Sequence, residues 1–345
     1  MKICLVSRYM TLRGAGIGRV ASRLYEGLTA RGHDVCTVHD GSSLAAYWWF
    51  TVVRKPFLLP KHMDVYHALS PVESLWLPEE KSVVTIHDLF PVMYPMFQGA
   101  GIGENRIVQW FSGEFFAHSL FKSAMCAAVA ANSTMTASQY IRYLDGFRSR
   151  CDVIYLGISP ELAPMHFPRA KRQRFGYLGQ LDRRKRVDVL IRAFRESKTD
   201  ATLLIAGAGR DDAALRQLAA GDSRITFIGF LPDSKLSLFY SSLTALVLPS
   251  YMEGWGLPAV EAMACGTPVV ILQDTVMPFE VRERCLQSGD LRAFFDEMAG
   301  GLVLERDAHA DWAMSHTWER CINEYEALYR TVTEAHCGAA ASSGR

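Results

Sequence analysis

The stretch Leu243-Thr-Ala-Leu-Val-Leu-Pro-Ser-Tyr-Met-Glu253-Gly-Trp-Gly-Leu-Pro-Ala-Val-Glu261-Ala-Met-Ala-Cys-Gly-Thr-Pro268, followed by Val269-Val-Ile-Leu272, decides the fold. Two short apolar runs of strand type flank a glycine turn and a helix. Pro258 fits the first helical position, where its missing N–H costs nothing. Gly266 and Pro268 then end the helix. The order is strand, acidic glycine loop, helix, strand. In open α/β sheets ligands bind beyond the carboxyl ends of strands, and a helix start there offers unpaired N–H groups to an anion. Glu253 stands on the loop at the helix mouth. Glu261 lies one or two turns into the helix, able to face the same place. The plainer reading is a surface glutamate and a helical glutamate beside an ordinary turn.

The same alternation runs through the chain. Strands are expected at Ile3–Ser7, Asp34–His39, Asp64–Ala68, Ser82–Ile86, Ala127–Ala131 and Asp152–Leu156, with helices near Arg19–Ala30, Phe111–Ala124 and Thr136–Leu144. A two-proline loop, Gly157–Pro168, then separates a second series. Its strands are Arg174–Leu178, Thr202–Ala206, Ile225–Ile228 and Thr244–Leu248; its helices are Val187–Glu196, one ending at Leu218, and Ser234–Ser241. Alternating βα units predict parallel sheets covered on both faces. The pattern predicts an α/β chain with domains at 1–158 and 169–310, a long helix within 311–335, and an unstructured tail at 338–345.

The 345 residues are 49% hydrophobic and 21% charged, a globular composition with ample core. The formal net charge of +1 gives no field for a polyanion, so nucleic acid is not an expected partner. Eight scattered cysteines without a C-x-x-C pair read as reduced thiols, which points to the cytoplasm. No clustered ligands suggest a metal site. Lys2–Val6 is too short for a signal peptide, and no apolar run approaches a membrane span.

Several residues fall at strand ends. His87 follows Val83-Val-Thr-Ile86 and could bind a sugar hydroxyl or move a proton; the plainer reading is a structural histidine. Gly179-Gln-Leu-Asp-Arg-Arg-Lys-Arg186 follows another strand. Lys185 and Arg184 are the candidates for neutralising a diphosphate, the other basic residues being read as a solvated face. Gly14-Ala-Gly16-Ile-Gly18 starts too far beyond its strand for a dinucleotide fingerprint. Gly207-Ala-Gly209 brings backbone to a strand end, and Asn132-Ser133 reads as a helix cap. The aromatic and basic stretches 45–60 and 106–122 fit a core-facing helix and loop, or else a peripheral membrane contact at the inner membrane face or the binding of an apolar acceptor.

Together these residues resemble the GT4 family of retaining glycosyltransferases with the GT-B fold (glycosyl transferases group 1). The resemblance rests on Gly16-Ile-Gly-Arg-Val, Thr85-Ile-His-Asp-Leu89, Ala131-Asn-Ser133, Val153-Ile-Tyr-Leu-Gly-Ile158, Tyr177-Leu-Gly-Gln-Leu-Asp-Arg-Arg-Lys185, Ser315-His-Thr-Trp-Glu319 and above all Glu253 to Val269, which matches the E-x7-E signature. It implies two Rossmann-like domains facing a central cleft, with a C-terminal helix returning to the first. The first domain would bind a glycan or lipid-linked acceptor and the second a nucleotide-sugar donor. Lys185 would grip the diphosphate, and Glu253 the donor sugar. Gly254, Trp255, Gly256 and Leu257 would supply backbone N–H groups, and Glu261 would hold the ribose. Gly16 would stand near the diphosphate and His87 near the transferred sugar. No metal or other cofactor is expected, because the cationic side chains would carry the leaving-group charge. Thr85-Ile-His-Asp-Leu-Phe-Pro91 is similar to mannosyl-transferring members, which favours GDP-mannose, then UDP-sugars. The chain departs from the family at Gln180, where arginine is common, at Trp255, where phenylalanine is common, and at Arg186, where glycine is common. A non-catalytic nucleotide-sugar-binding or scaffold protein on the same fold is the alternative, and a sugar epimerase a further one.

Overall fold

The computed structural model describes residues 1–8, 16–39, 55–93, 106–147, 150–166 and 172–343. The chain forms two compact units, Met1–Gly157 with Trp318–Arg345, and Ile158–Thr317. Each is built on one six-stranded parallel sheet.

The first sheet contains β1 (Lys2–Val6), β2 (Asp34–Val38), β3 (Val65–Ala68), β4 (Ser82–Ile86), β5 (Ala128–Ala131) and β6 (Asp152–Val153) in the order β2-β1-β3-β4-β5-β6. Strands β3, β4 and β5 are buried along their whole length, as expected where helices cover both faces. The helix Gly16–Ala30 buries Val20, Ala21, Leu24 and Leu28, the one-sided spacing of a helix laid on a sheet. Residues 45–54 of the first aromatic stretch lie outside the described residues, and the second stretch lies in the helix Arg106–Ala124. Among the described residues, no helix is long and apolar enough to cross a membrane.

The C-terminal pattern is not one helix. It divides into Ala310–Met314 and Trp318–Ser343. At the break, Ile158 bridges to Thr317 and donates its N–H to the His316 carbonyl at 2.9 Å. A chain segment paired sideways there cannot also continue helical i→i−4 bonding. The second helix belongs to the first unit and runs on to Ser343, through most of the tail expected to lack structure. Its Tyr329 hydroxyl lies 2.7 Å from His67 Nδ1. His67 Nε2 is 2.7 Å from Thr85 Oγ1, which is 2.8 Å from the Tyr325 hydroxyl. Burial, with His87 nearby, pushes the His67 imidazole down to about 3, so it is neutral.

The second sheet contains β7 (Arg174–Leu178), β8 (Thr202–Ala206), β9 (Ile225–Gly229), β10 (Ala245–Leu248), β11 (Val269–Leu272) and β12 (Leu286–Ser288) in the order β12-β11-β10-β7-β8-β9. This is the doubly wound order, and it reverses between β7 and β10. In open α/β sheets ligands bind at such a reversal, beyond the carboxyl ends of the two strands. The helix Val187–Glu196 buries Val187, Leu190, Ile191 and Phe194, again one face. The sequence reading assigned nothing between 273 and 310. The structure places β12 there and the helix Leu291–Ala299, capped by Asp290, whose side chain accepts from the Arg292 and Ala293 N–H groups.

Candidate functional site

The loop after β10 runs through Ser250 and Glu253 to Gly256. Gly256 has φ of 83°, a left-handed conformation suited to glycine, and launches the helix Leu257–Ala264. Pro258 sits at the second helical position, and Gly266 (φ 67°) ends the helix as expected. The Glu253 N–H donates to the Val276 carbonyl at 2.9 Å, fixing the loop on the segment after β11. Trp255 is 2% exposed. Its ring stands 5.2 Å from His316 and 6.4 Å from Trp312, between centroids. The indole therefore anchors the loop, leaving backbone as what this residue offers a ligand.

The loop after β7 meets it. Glycine is required behind this loop: a Cβ on Gly207 would lie 1.8 Å from the Gly179 carbonyl oxygen, and one on Gly209 2.1 Å from that of Leu181. These glycines thus serve the approach of two loops to each other. The Tyr177 hydroxyl donates to the Gln180 carbonyl at 2.9 Å and shapes the turn. A short helical turn at Arg183–Lys185 carries the basic run to the mouth.

There Lys185 Nζ binds Glu253 Oε1 at 2.6 Å, with both side chains 12% exposed. Burial pushes the Glu253 carboxyl up, but the Lys185 ammonium and the nearby Arg184 override it and hold the group below the usual carboxylate range. The two residues assigned separate duties by the sequence are ion-paired with each other. Arg184 donates to Asp182 Oδ2 at 3.2 Å, while Asp182 Oδ1 is buried without a partner among the described residues.

Glu261 is 1% exposed and accepts from the Tyr240 hydroxyl at 2.8 Å. It lies beneath the helix rather than open at its mouth, because the turn of the helix aims position 261 at Tyr240. Arg186 was read as solvated, and the structure corrects this. Its side chain is 16% exposed, and its guanidinium donates to the Pro249 and Ser250 carbonyls and to both oxygens of Asp274. Its φ of 50° is left-handed, a cost of about 1–2 kcal/mol for a residue with a Cβ.

In the first unit, Gly16 opens its helix, exposed, with none of the described residues within 4 Å of where a Cβ would be. Gly14 lies outside the described residues. His87 follows β4 and Asn132 follows β5, next to the paired residues Ile86 and Ala131. Burial pushes the His87 imidazole down to about 4, against the opposing effects of Asp88 and a backbone hydrogen bond with Leu69. Among the described residues, neither His87 Nε2 nor Asn132 Oδ1, both buried, has a hydrogen-bond partner. Ser133 is the cap, its Oγ accepting from the Thr136 N–H at 3.1 Å. Asn132 is thus left with an unmet acceptor. The sequence signal was a polar residue at a strand end followed by a better cap. Tyr240 and Trp312, also missed, carry no local signal, since each acts on a residue distant in sequence.

Residues 160–284 match the family model described as glycosyl transferases group 1. The chain is 27% identical over 247 residues to the O-antigen chain mannosyltransferase B of Escherichia coli, covering 65% of this chain and 61% of that protein. It is 30% identical over 222 residues to a D-inositol 3-phosphate glycosyltransferase of Mycobacterium sp. (strain JLS), covering 59% of this chain and 47% of that one. The matches therefore span under two thirds of those relatives' lengths. Among solved structures, the sucrose-phosphate synthase of Thermosynechococcus elongatus superposes with a TM-score of 0.73 at 19% identity, over 97% of this chain and 100% of that one. Anabaena HepE, solved in complex with UDP-glucose, superposes with a TM-score of 0.60 at 16% identity, over 99% and 100%. Residues 160–284 are thus similar to the glycosyl transferases group 1, and the chain has the GT-B fold.

Proposed function

We propose that the protein transfers a hexosyl unit from a nucleotide-diphosphate sugar to a glycan or lipid-linked acceptor, with retention and without a metal ion. The observation that carries this reading is the Lys185–Glu253 ion pair at the strand-order reversal of the second sheet. A diphosphate entering there exchanges places with the Glu253 carboxylate on Lys185. The released carboxylate then accepts from donor-sugar hydroxyls. As the sugar–phosphate bond breaks, charge builds on the leaving diphosphate. Lys185, Arg184 and the N–H groups from Gly254 to Leu257 stabilise it; losing one such group costs about 3 kcal/mol of barrier. Glu261, steadied by Tyr240, is the proposed ribose ligand. In the first unit, His87 Nε2 and Asn132 Oδ1 have no partner among the described residues, which suits sugar hydroxyls, able both to donate and to accept.

GDP-mannose is the proposed donor, supported by the segment Thr85–Pro91 and by the relative named as a mannosyltransferase. The test is calorimetric titration with GDP, UDP and ADP, followed by transfer assays with the sugar derivative of the tightest binder. Lys185→Ala is expected to weaken nucleotide binding and lower transfer by 100-fold or more while the protein stays folded. Wild-type binding and turnover in that variant would overturn the assignment.

A further inference from the structure

We infer that Arg186 is a positioning residue that holds the loop after β7 against the loop after β10 and so sets the Lys185–Glu253 pair. The inference rests on the reading of that pair as the diphosphate-binding group.

Arg186 directly follows Lys185 and caps the helix Val187–Glu196. Its backbone is left-handed, with φ 50° and ψ 36°, a conformation in which glycine carries no strain. A residue with a side chain persists in that geometry only when surrounding contacts fix it. Here they are explicit. Nε donates to the Pro249 carbonyl at 2.6 Å, and Nη2 to the Ser250 carbonyl at 3.0 Å. Nη1 and Nη2 reach Asp274 Oδ2 and Oδ1 at 2.7 and 2.9 Å. The guanidinium also lies 5.3 Å from the centroid of the Tyr251 ring. A hydrogen bond with Arg186 holds the Asp274 carboxyl below its usual range.

These contacts span three strand ends. Pro249 and Ser250 lead from β10 to Glu253, and Asp274 follows β11. The backbone reinforces the same junction: the Tyr251 N–H donates to the Arg184 carbonyl, and the Val276 N–H to that of Tyr251, each at 2.9 Å. One side chain therefore ties the segment carrying Lys185 to the segment carrying Glu253. Lysine cannot replace it, because a single ammonium lacks the planar fork that serves two carbonyls and a carboxylate together.

The test uses the full chain with Arg186→Gly, Arg186→Lys, Lys185→Ala and the double variant Arg186→Gly/Lys185→Ala. Affinities for GDP and UDP are measured by calorimetry well below each variant's unfolding temperature, with kcat and KM for transfer. Glycine suits the backbone here, so Arg186→Gly is expected to fold. It should lower nucleotide affinity and kcat by about tenfold or more, the scale of a loosened site. Arg186→Lys should not restore them. Lys185→Ala should cost several-fold less in the Arg186→Gly background than in the wild type. Wild-type affinity and kcat in Arg186→Gly, alongside a damaged Lys185→Ala, would overturn the positioning role alone. Fully multiplicative losses in the double variant would overturn it too. Wild-type affinity in Lys185→Ala would instead remove the reading on which it rests.

Discussion

Lys185 and Glu253 neutralise each other at the place where a diphosphate and a sugar are proposed to bind, and this makes their single variants unequal. Lys185→Ala removes the cation that phosphate needs. Glu253→Gln releases that cation from its partner, so free GDP or UDP should bind at least as tightly as to the wild type. Transfer should still fall by about 100- to 1,000-fold, since the sugar loses its acceptor. Calorimetry with single-turnover assays checks both halves; a parallel loss of nucleotide affinity would mean that Glu253 touches the nucleotide favourably. His87 gives a second prediction. Its imidazole stays neutral down to about pH 4, so the rate profile should show no inflection near pH 6.5. An inflection there that vanishes in His87→Gln would contradict this. At this scale the sequence was informative about position and poor about partners. Lys185 and Glu253 stood out as charges at strand ends, but they pair across 68 residues, a long-range fact. Glu261 stood out by spacing, while its burial against Tyr240 depends on packing. Arg186 was hidden in a run of like residues, where nothing local separates the half-buried, bonded arginine from the exposed one.

Among the elements, the C-terminal helix Trp318–Ser343 is held by a buried polar chain from Tyr329 through His67 and Thr85 to Tyr325. His67 titrates near 6.5 when unfolded and at about 3 when folded. The unfolded state therefore binds more protons between those values, and stability falls as pH drops from 6.5 toward 3, by up to about 1.4 kcal/mol per pH unit for this group. His87 adds the same sign from 6.5 to about 4. Melting temperatures from pH 7 to pH 4 should thus decline steeply in the wild type and less steeply in His67→Gln. An unchanged slope would show that His67 is protonated or exposed in the fold. Most strands and helices were legible, because buried parallel strands are short Val/Ile/Leu/Ala runs and surface helices repeat at three to four residues. What escaped had weak local contrast. The strand Leu286–Ser288 has two polar residues of three and lies at a sheet edge. The break at Ser315–Thr317 arises from pairing with Ile158, which no helical periodicity records.

On the scale of the whole molecule, the sequence showed that the βα pattern stops near residue 157 and starts again near 174. It did not show strand order, which long-range pairing determines. Yet the order is what gives the glycine loop its meaning, since the adjacency of β7 and β10 at the reversal brings Lys185 and Glu253 together. The proposed nucleotide site therefore lies within the unit Ile158–Thr317, and its binding energy should act there. A ligand at 100 times its dissociation constant stabilises its site by about 2.7 kcal/mol. Hydrogen exchange with saturating nucleoside diphosphate should therefore slow in peptides covering residues 179–186 and 249–257, through the loops that carry the ion pair. Peptides covering residues 82–93 of the first unit, around His87, should exchange as in the free protein, because no phosphate-binding group is assigned there. Adding the intact sugar donor should extend protection to that segment if His87 serves the transferred sugar. Protection confined to residues 82–93 with the nucleotide alone would place the diphosphate on the first sheet and overturn the assignment of this site.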